Sequence, residues 1–352
     1  MAVHEPPPPT SSNATIRDVA EHAQVSRAAV SKVIRNAYGV SDDMRERVNR
    51  SIKALGYRPR LTARGMRGST YTIGILIGDY SNQFYGEVMR GISEAITDTP
   101  YQLIIALVDN ERGNAYQGLE NLHDRAVDGV IAITPLVVPA WLDDMADKMP
   151  IVQIGRHARS EHYDTIVGDD KLGVRLMMDH LFELGHQKIA HVTHVDPNSE
   201  LLLASPHYAR RHMYETMMAK RSLTHETVVI PAKFEEEASF TATTEALNAG
   251  LNSTAIFAGN DDAALGVQRA LADAHKDESV SVAGYDDSRF ARHPRISLTT
   301  IHQSGYEMGK HATRLLLERL EGRKKSEYLK LPVRLVTRSS TKKWLSNKEI
   351  PH

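Results

Sequence analysis

The 352-residue sequence contains no cysteine. That excludes a disulfide framework and thiolate chemistry, and it makes the reducing cytoplasm the simplest home. No run approaches the ~18 consecutive apolar residues of a bilayer span, so no membrane partner is expected. The opening residues MAVHEPPPPTSSN lack the basic patch and apolar stretch of a secretory leader, which points to the same compartment. Catalytic signatures are missing as well. There is no G-x-S-x-G elbow, P-loop, H-E-x-x-H or G-x-G-x-x-G, so neither an enzyme nor a cofactor is expected. His180, His186, His191 and His194 lie near one another in sequence. However, 191 and 194 are an odd number apart and face opposite sides of one strand, so no metal site is expected. The acid pairs Asp169–Asp170, Asp261–Asp262 and Asp286–Asp287 are adjacent in sequence and therefore diverge. They read as polar groups at strand ends, one of each pair aimed at a cleft, and not as catalytic dyads.

What is present is an ordinary soluble composition, 41% hydrophobic and 25% charged, in a chain long enough for two or three domains. The net charge of -1 hides an asymmetry. Up to Thr70 there are twelve Lys/Arg against six Asp/Glu, so this segment is +6 and the remainder is -7. A basic head on an acidic body suggests one module that binds a polyanion.

Thr15 to Asn36 reads TIRDVAEHAQVSRAAVSKVIRN. Ile16, Val19, Ala20 and Ala23 recur at helical spacing. After a turn near Gln24 and Val25, so do Ala29, Val30, Val33 and Ile34. Ser26 suits an N-cap, and Arg27, Lys32 and Arg35 project outward. The pattern fits a helix-turn-helix presenting its second helix to DNA; a surface helical hairpin with solvated charges is the plainer reading. Val40 to Gly56 reads as a third helix, capped by Ser41, with Met44, Val48, Ile52 and Leu55 on its apolar stripe. Next comes YRPRLTARGMRG (Tyr57 to Gly68), either a linker or a marginal helix that orders only on DNA.

From Tyr71 strands and helices alternate. Strands are expected at Thr72–Gly78, Tyr101–Val108, Asp128–Ile133 and Ile151–Gly155, with helices between them. The rhythm restarts with a helix at Leu172–Leu184. It continues through KIAHVTH, TVVIP, TAIFAG and VSVAGYD, again with helices between. A helix at Tyr306–Leu320 and a strand LKLPVRLVTR close the chain. Two such halves imply an α/β body of two lobes, with ligands bound beyond the carboxyl ends of the strands, where Asn260 and Asp286 lie.

In order along Thr15 to Thr341 come TIRDVAEHAQVSRAAVSKVI, VSDDMRERVNRSIKALGYRP, IGILIGDYSNQFYGEVMRGI, HLFELGHQKIA, TAIFAGNDDAALGVQRAL, SVAGYDD, ISLTTIHQ and VTRSST. Together these resemble the lactose-repressor/purine-repressor (LacI/GalR) family of bacterial transcription regulators. The resemblance implies an α/β fold with an N-terminal three-helix headpiece, a hinge helix and a two-lobed periplasmic-binding-protein-like body with two parallel sheets. The boundaries it implies are a tail at 1–14, a headpiece at 15–58 and a hinge at 59–70. Lobe 1 follows at 71–166 and 301–329, lobe 2 at 167–300 and 330–341, and a tail at 342–352.

By position, Thr15, Ser26 and Ser31 fall on phosphate-contacting or capping residues of the family, and Arg27, Ala28 and Lys32 on its base-reading residues. Arginine can pair bidentately with guanine, alanine can touch only a thymine methyl, and lysine is a less directional donor than arginine. The family usually has Arg at position 32, Gly at 24 and Asn at 35; these departures bear on the operator sequence and not on the docking mode. Ala63 and Met66 match the hinge helix, Met66 standing where a leucine commonly wedges into the minor groove. In the body Phe84, Tyr85, Arg156, Arg210, Phe234, Asn260 and Asp286 match effector-binding positions. Arg211 is the alternative to Arg210. Gly155 replaces an Asp that is frequent before the family's Arg, removing a ligand acceptor. The implied protein is a cytoplasmic homodimeric repressor, nucleoid-associated when bound to double-stranded operator DNA. Its effector would be a small hydroxyl-rich molecule such as a sugar, the alternatives being a nucleoside- or nucleobase-responsive regulator or a sugar receptor without DNA function.

Overall fold

A computed structural model describes residues 14–34, 37–57, 69–78, 82–108, 114–195 and 200–344. The chain divides into two compact units, Met1–Thr70 and Tyr71–His352. The tail at 1–13, Arg35, and the hinge positions Ala63 and Met66 lie outside the described residues.

The first unit holds α1 (Ile16–His22), α2 (Arg27–Ile34) and α3 (Asp42–Ala54). Thr15 caps α1 through a capping box, its hydroxyl accepting from the Asp18 N–H while Asp18 accepts from the Thr15 N–H at 2.7 Å. Ser26 accepts from the Ala29 N–H at 3.1 Å, and Ser41 caps α3. Val19, Ala20, Ala23, Val30, Val33 and Val48 form the core, with Met44, Ile52 and Leu55 packed against it. His22 meets the buried Ser51 at 3.0 Å, tying α1 to α3.

In the second unit five strands of a six-stranded sheet come first, β1 (Thr72–Ile77), β2 (Gln102–Leu107), β3 (Gly129–Ile133), β4 (Ile151–Ile154) and β5 (Asp164–Gly168). The intervening helices are α4 (Gln83–Ala95), α5 (Ala115–Asp124) and α6 (Pro139–Ala146). The chain then enters the second lobe through α7 (Asp170–Glu183). Here β6 (Ile189–Thr193), β7 (Val228–Pro231), β8 (Ala255–Ala258) and β9 (Ser281–Ala283) alternate with α8 (Pro206–Lys220), α9 (Glu236–Asn248) and α10 (Asp261–Asp273). After β10 (Thr300–His302), α11 (Gly305–Leu320) returns to the first lobe, followed by β11 (Tyr328–Leu331) and β12 (Arg334–Val336). The first sheet runs β11-β5-β4-β3-β1-β2 and the second β7-β6-β8-β9, every pairing in both being parallel. β10 and β12 form a separate antiparallel pair.

Three features differ from the sequence expectation, the first being β10, a three-residue strand with no apolar run of its own to mark it. β5 was not anticipated, because only Ile166 and Val167 in DTIVG carry an aliphatic signal, yet all five residues are buried. The closing run LKLPVRLVTR is not one strand. Pro332, which has no N–H to give a ladder, separates β11 in the first sheet from β12 beside β10. The chain therefore crosses between lobes after Gly168, after His302 and at Pro332, each slightly beyond the boundaries expected at 166, 300 and 329. The segment from 342 begins on the second lobe, where the Trp344 N–H donates to the Leu184 carbonyl at 2.7 Å.

Gln24, where relatives of the resembled family usually carry Gly, sits in the left-handed region at φ 54. That conformation costs an L-residue about 1–2 kcal/mol, and glycine would lose about 0.5–1 kcal/mol of that gain through its freer unfolded chain. Gln24→Gly should therefore stabilise the headpiece by about 0.5–1 kcal/mol. Hydrogen exchange of the α1 and α2 amides in the full chain reads this out, and unchanged or weaker protection would contradict it.

Candidate functional site

The strands of both sheets end at one cavity of about 180 Å3. Phe84, Tyr85, Arg156, Arg210, Phe234, Asn260 and Asp286 all line it, so the structure brings together all seven effector positions read from the sequence. Parallel strands point their carboxyl ends, and the loops that follow, toward such a crevice. Asn82 caps α4 by accepting from the Phe84 N–H at 2.8 Å, which sets Phe84 and Tyr85 on the first turn. The Tyr85 hydroxyl lies 3.3 Å from that of Thr134, beyond β3. Gly155 and Arg156 follow β4 directly.

On the second lobe Arg210 is buried and fixed. Its Nε donates to Asp170 Oδ1 at 2.7 Å, its Nη1 to the Gly259 carbonyl at 2.6 Å, and its guanidinium lies 3.7 Å from the Tyr285 ring centre. Arg211 instead pairs with Glu215 on the outer face of α8, so Arg210 is the one at the cleft. Asp170 also meets His157 Nε2 at 2.8 Å. Burial pushes the Asp170 carboxyl up, but the Arg210 charge and the His157 contact outweigh it and hold the group below its ordinary value.

Asp286 and Asp287 diverge, as adjacent residues must. Asp286 lines the cavity and accepts from Gln303 Nε2 at 2.5 Å. Burial drives its carboxyl well above the usual range, with Arg210 opposing and Asp261 adding to the rise. Asp287 turns away to Arg338, Arg292 and His302 at 2.6, 3.0 and 3.1 Å; these overcome burial and bring it to about 2. Asp170 likewise lines the cavity while Asp169 caps α7. The third pair departs from this pattern. Asp261 is buried under Thr300 and Ser288, which donate three hydrogen bonds, and burial still lifts it to about 6. Asn260 holds the cleft position there. Its Oδ1 caps α10 by accepting from the Ala263 N–H at 2.8 Å, so part of its polarity is already engaged.

Phe234 packs against His207 with ring centres 4.1 Å apart, and a Cβ on Gly259 would lie 2.3 Å from the Phe234 ring. The glycine there lets the aromatic reach the cleft. Asn82, Thr134, His207 and Gln303 also line the cavity and were not singled out from the sequence; Asp170, from an acid pair expected to aim one member at a cleft, and His194, from the clustered histidines, line it too. Gln303 stood inside the quoted ISLTTIHQ, and Asp170 inside an acid pair, but neither pattern assigns a partner. The four clustered histidines disperse. His180 meets Thr341, His186 meets Thr254, and His194 lines the cleft. His191 meets the Phe257 carbonyl, buried and held down at about 4.

In the headpiece Arg27, Ala28 and Lys32 are exposed on α2, and Arg27 is its first residue. Base contacts in helix-turn-helix proteins come from that end of the second helix. Thr15 and Ser26 act as caps, and Ser31 is half-buried on α2.

Asp170→Asn should destabilise the body by about 3–5 kcal/mol at neutral pH, because it leaves the buried Arg210 cation without its counter-charge. The folded carboxyl is depressed, so its contribution is full above the unfolded Asp value of about 3.9 and is lost as pH falls through the folded value. Denaturant unfolding of both proteins from pH 7 to pH 3 should show the gap narrow below pH ~4; a constant gap would contradict this.

Among known proteins, residues 15–60 match the family described as Bacterial regulatory proteins, lacI family, and residues 178–341 match a Periplasmic binding protein-like domain. The ribose operon repressor of Halalkalibacterium halodurans is 30% identical over 332 residues, 93% of this chain and 97% of that one. The HTH-type transcriptional repressor PurR of Photorhabdus laumondii is 31% identical over 336 residues, 93% of this chain and 96% of its own. A solved LacI family transcriptional regulator from Enterococcus faecium with bound ribose has a TM-score of 0.69 at 29% identity, covering 78% of this chain and 100% of its own. With similarity of this extent running through headpiece and body alike, the chain belongs to the lacI family of bacterial regulatory proteins.

Proposed function

We propose that the protein is a homodimeric transcriptional repressor whose affinity for operator DNA is set by a small hydroxyl-rich effector held between the two lobes. The observation that carries this reading is the cleft itself, where residues from both lobes converge on one cavity in a chain whose α2 exposes Arg27 and Lys32. Donors, acceptors and aromatics are mixed there as a polyol requires: Asp286 accepts, Arg210 donates, Asn260 does both, and Phe84, Tyr85 and Phe234 cover apolar ring faces. Relatives at nearly equal identity include a ribose operon repressor and PurR, so the choice of a sugar over a nucleobase rests on this polar set. The reading needs no cofactor and no catalytic step, and it places the protein in the bacterial cytoplasm, on the nucleoid when bound.

An effector touching both lobes favours one closure state, and the three crossings between lobes supply the hinges. A 100-fold change in operator affinity needs only ~2.7 kcal/mol of coupling, within the usual allosteric range. Two copies reading a pseudo-palindrome match the two-fold symmetry expected of such operators. The edge strand β2 leaves Ile105 and Leu107 51% and 61% exposed, an apolar edge that a second copy would cover.

A gel shift on the gene's own upstream region, with and without sugars and nucleobases, tests the reading; absence of salt-sensitive, sequence-selective binding would overturn it. Arg27→Ala should relax preference at one base position in each half-site at a cost of about 1–3 kcal/mol. A uniform loss across sequences would instead make Arg27 a phosphate contact. Asp286→Ala should abolish the effector response while leaving operator binding intact; loss of both would make Asp286 structural.

A further inference from the structure

Among the described residues two arginines line the cleft, and their surroundings differ. Arg210 has a carboxylate, a carbonyl and an aromatic face. Arg156 is buried to 2% exposure, and its Nη1 has no hydrogen-bond partner among the described residues. Burial pulls its pKa down, and among the described residues the neighbours that oppose this are the phenols of Tyr163 and Tyr116, with no carboxylate among them. Tyr163 is itself pushed up to about 12 by burial, so at neutral pH it offers no negative charge.

The backbone at Gly155 explains why no acid occupies the position before Arg156. Gly155 sits at φ 93, and a Cβ on it would lie 2.6 Å from the Thr134 methyl. A side chain at this position would have to adopt a left-handed backbone and displace Thr134. The missing acceptor is thus built into this lobe. A buried cation without a counter-charge is unfavourable, and a ligand that brings the charge recovers the loss on binding.

We propose that the effector carries an anionic oxygen group, received by Arg156 on the first lobe, while its hydroxyls meet Arg210, Asn260 and Asp286 on the second. The ligand class is therefore a sugar acid or a sugar phosphate, and a neutral sugar is the poorer ligand. This rests on the reading of the cleft as an effector site and deepens it.

Isothermal titration of the full-length protein tests the idea with matched series. The neutral arm is D-ribose, D-glucose and D-galactose. The carboxylate arm is D-gluconate, D-glucuronate and D-galacturonate, and the phosphate arm is ribose 5-phosphate and glucose 6-phosphate. At least one anionic compound should bind tenfold or more tightly than its neutral parent, and the arm it belongs to identifies the group. Arg156→Gln should weaken that compound on the order of a hundredfold and erase the preference. In the ligand-free protein, Arg156→Met should leave the thermal midpoint unchanged or raise it, since an unpaired buried cation is removed. A neutral parent binding as tightly as its acid and its phosphate overturns the proposal while leaving the sugar reading intact. So does a fall of several degrees in the ligand-free midpoint of both Arg156 variants, which would mark a satisfied structural arginine. If no compound binds while operator binding persists, the sugar reading fails and this proposal fails with it.

Discussion

The buried ion pair between Asp170 and Arg210 is the constraint on which the cleft depends. Asp170 opens α7, immediately after the chain first crosses between lobes, and so lies where both sheets end. One oxygen holds Arg210 from α8, and the other meets His157 from the connection between β4 and β5. Arg210 in turn reaches the Gly259 carbonyl at the end of β8. One carboxylate thereby links the first lobe, two helices of the second and the strand end that carries Asn260. Such a pair adds little stability over a hydrophobic replacement. What it supplies is direction, because a guanidinium held at Nε and Nη1 has a fixed plane and presents its remaining donors predictably.

The fold was legible wherever an element carries its own signal. The alternation from Thr72 to Ala283 could be read because each buried strand is a short aliphatic run and each helix has an apolar stripe. β5 escaped because its place in the sheet comes from β4 and β11 on either side and not from its own composition. The site was legible to the extent that function follows strand ends. Arg156, Asn260 and Asp286 each follow a strand, and the sheets deliver them to one place. His157 and His207 were not legible, and of Asp170 only the turn toward the cleft was, because their partners are supplied by folding alone; Asp170 and Arg210 are 40 residues apart. The hinge positions Ala63 and Met66 rest on the resemblance alone.

Asp286 and Asp287 show how one dipeptide can serve two ends. Both have positive φ, at 123 and 57, a conformation held only where the surroundings over-determine it. The surroundings here are Arg338, Arg292 and His302 on Asp287, with the Asp286 N–H donating to the Ile301 carbonyl at 2.8 Å. The low-lying Asp287 carboxylate anchors the turn, and the anchored turn carries Asp286 into the cavity. Asp286 can therefore keep an environment unfavourable to its charge. Beneath it Asp261, bonded by Thr300 and Ser288, ties the same turn to β10, where the chain crosses back to the first lobe.

The two departures from the family pattern at Gln24 and Gly155 act in opposite senses, though both concern a left-handed backbone. At Gln24 the turn keeps its shape without the residue that suits it, so the substitution adds strain and leaves the docking surface of α2 where Ser26 and the core set it. At Gly155 the glycine suits its φ, and the Thr134 methyl fills the space a side chain would need. Restoring an acid there is not a simple exchange, because Thr134 also meets Tyr85. The first departure is local and its cost is absorbed by a well-packed headpiece. The second is coupled to its neighbours, and it changes which charges the cleft already holds before any ligand arrives.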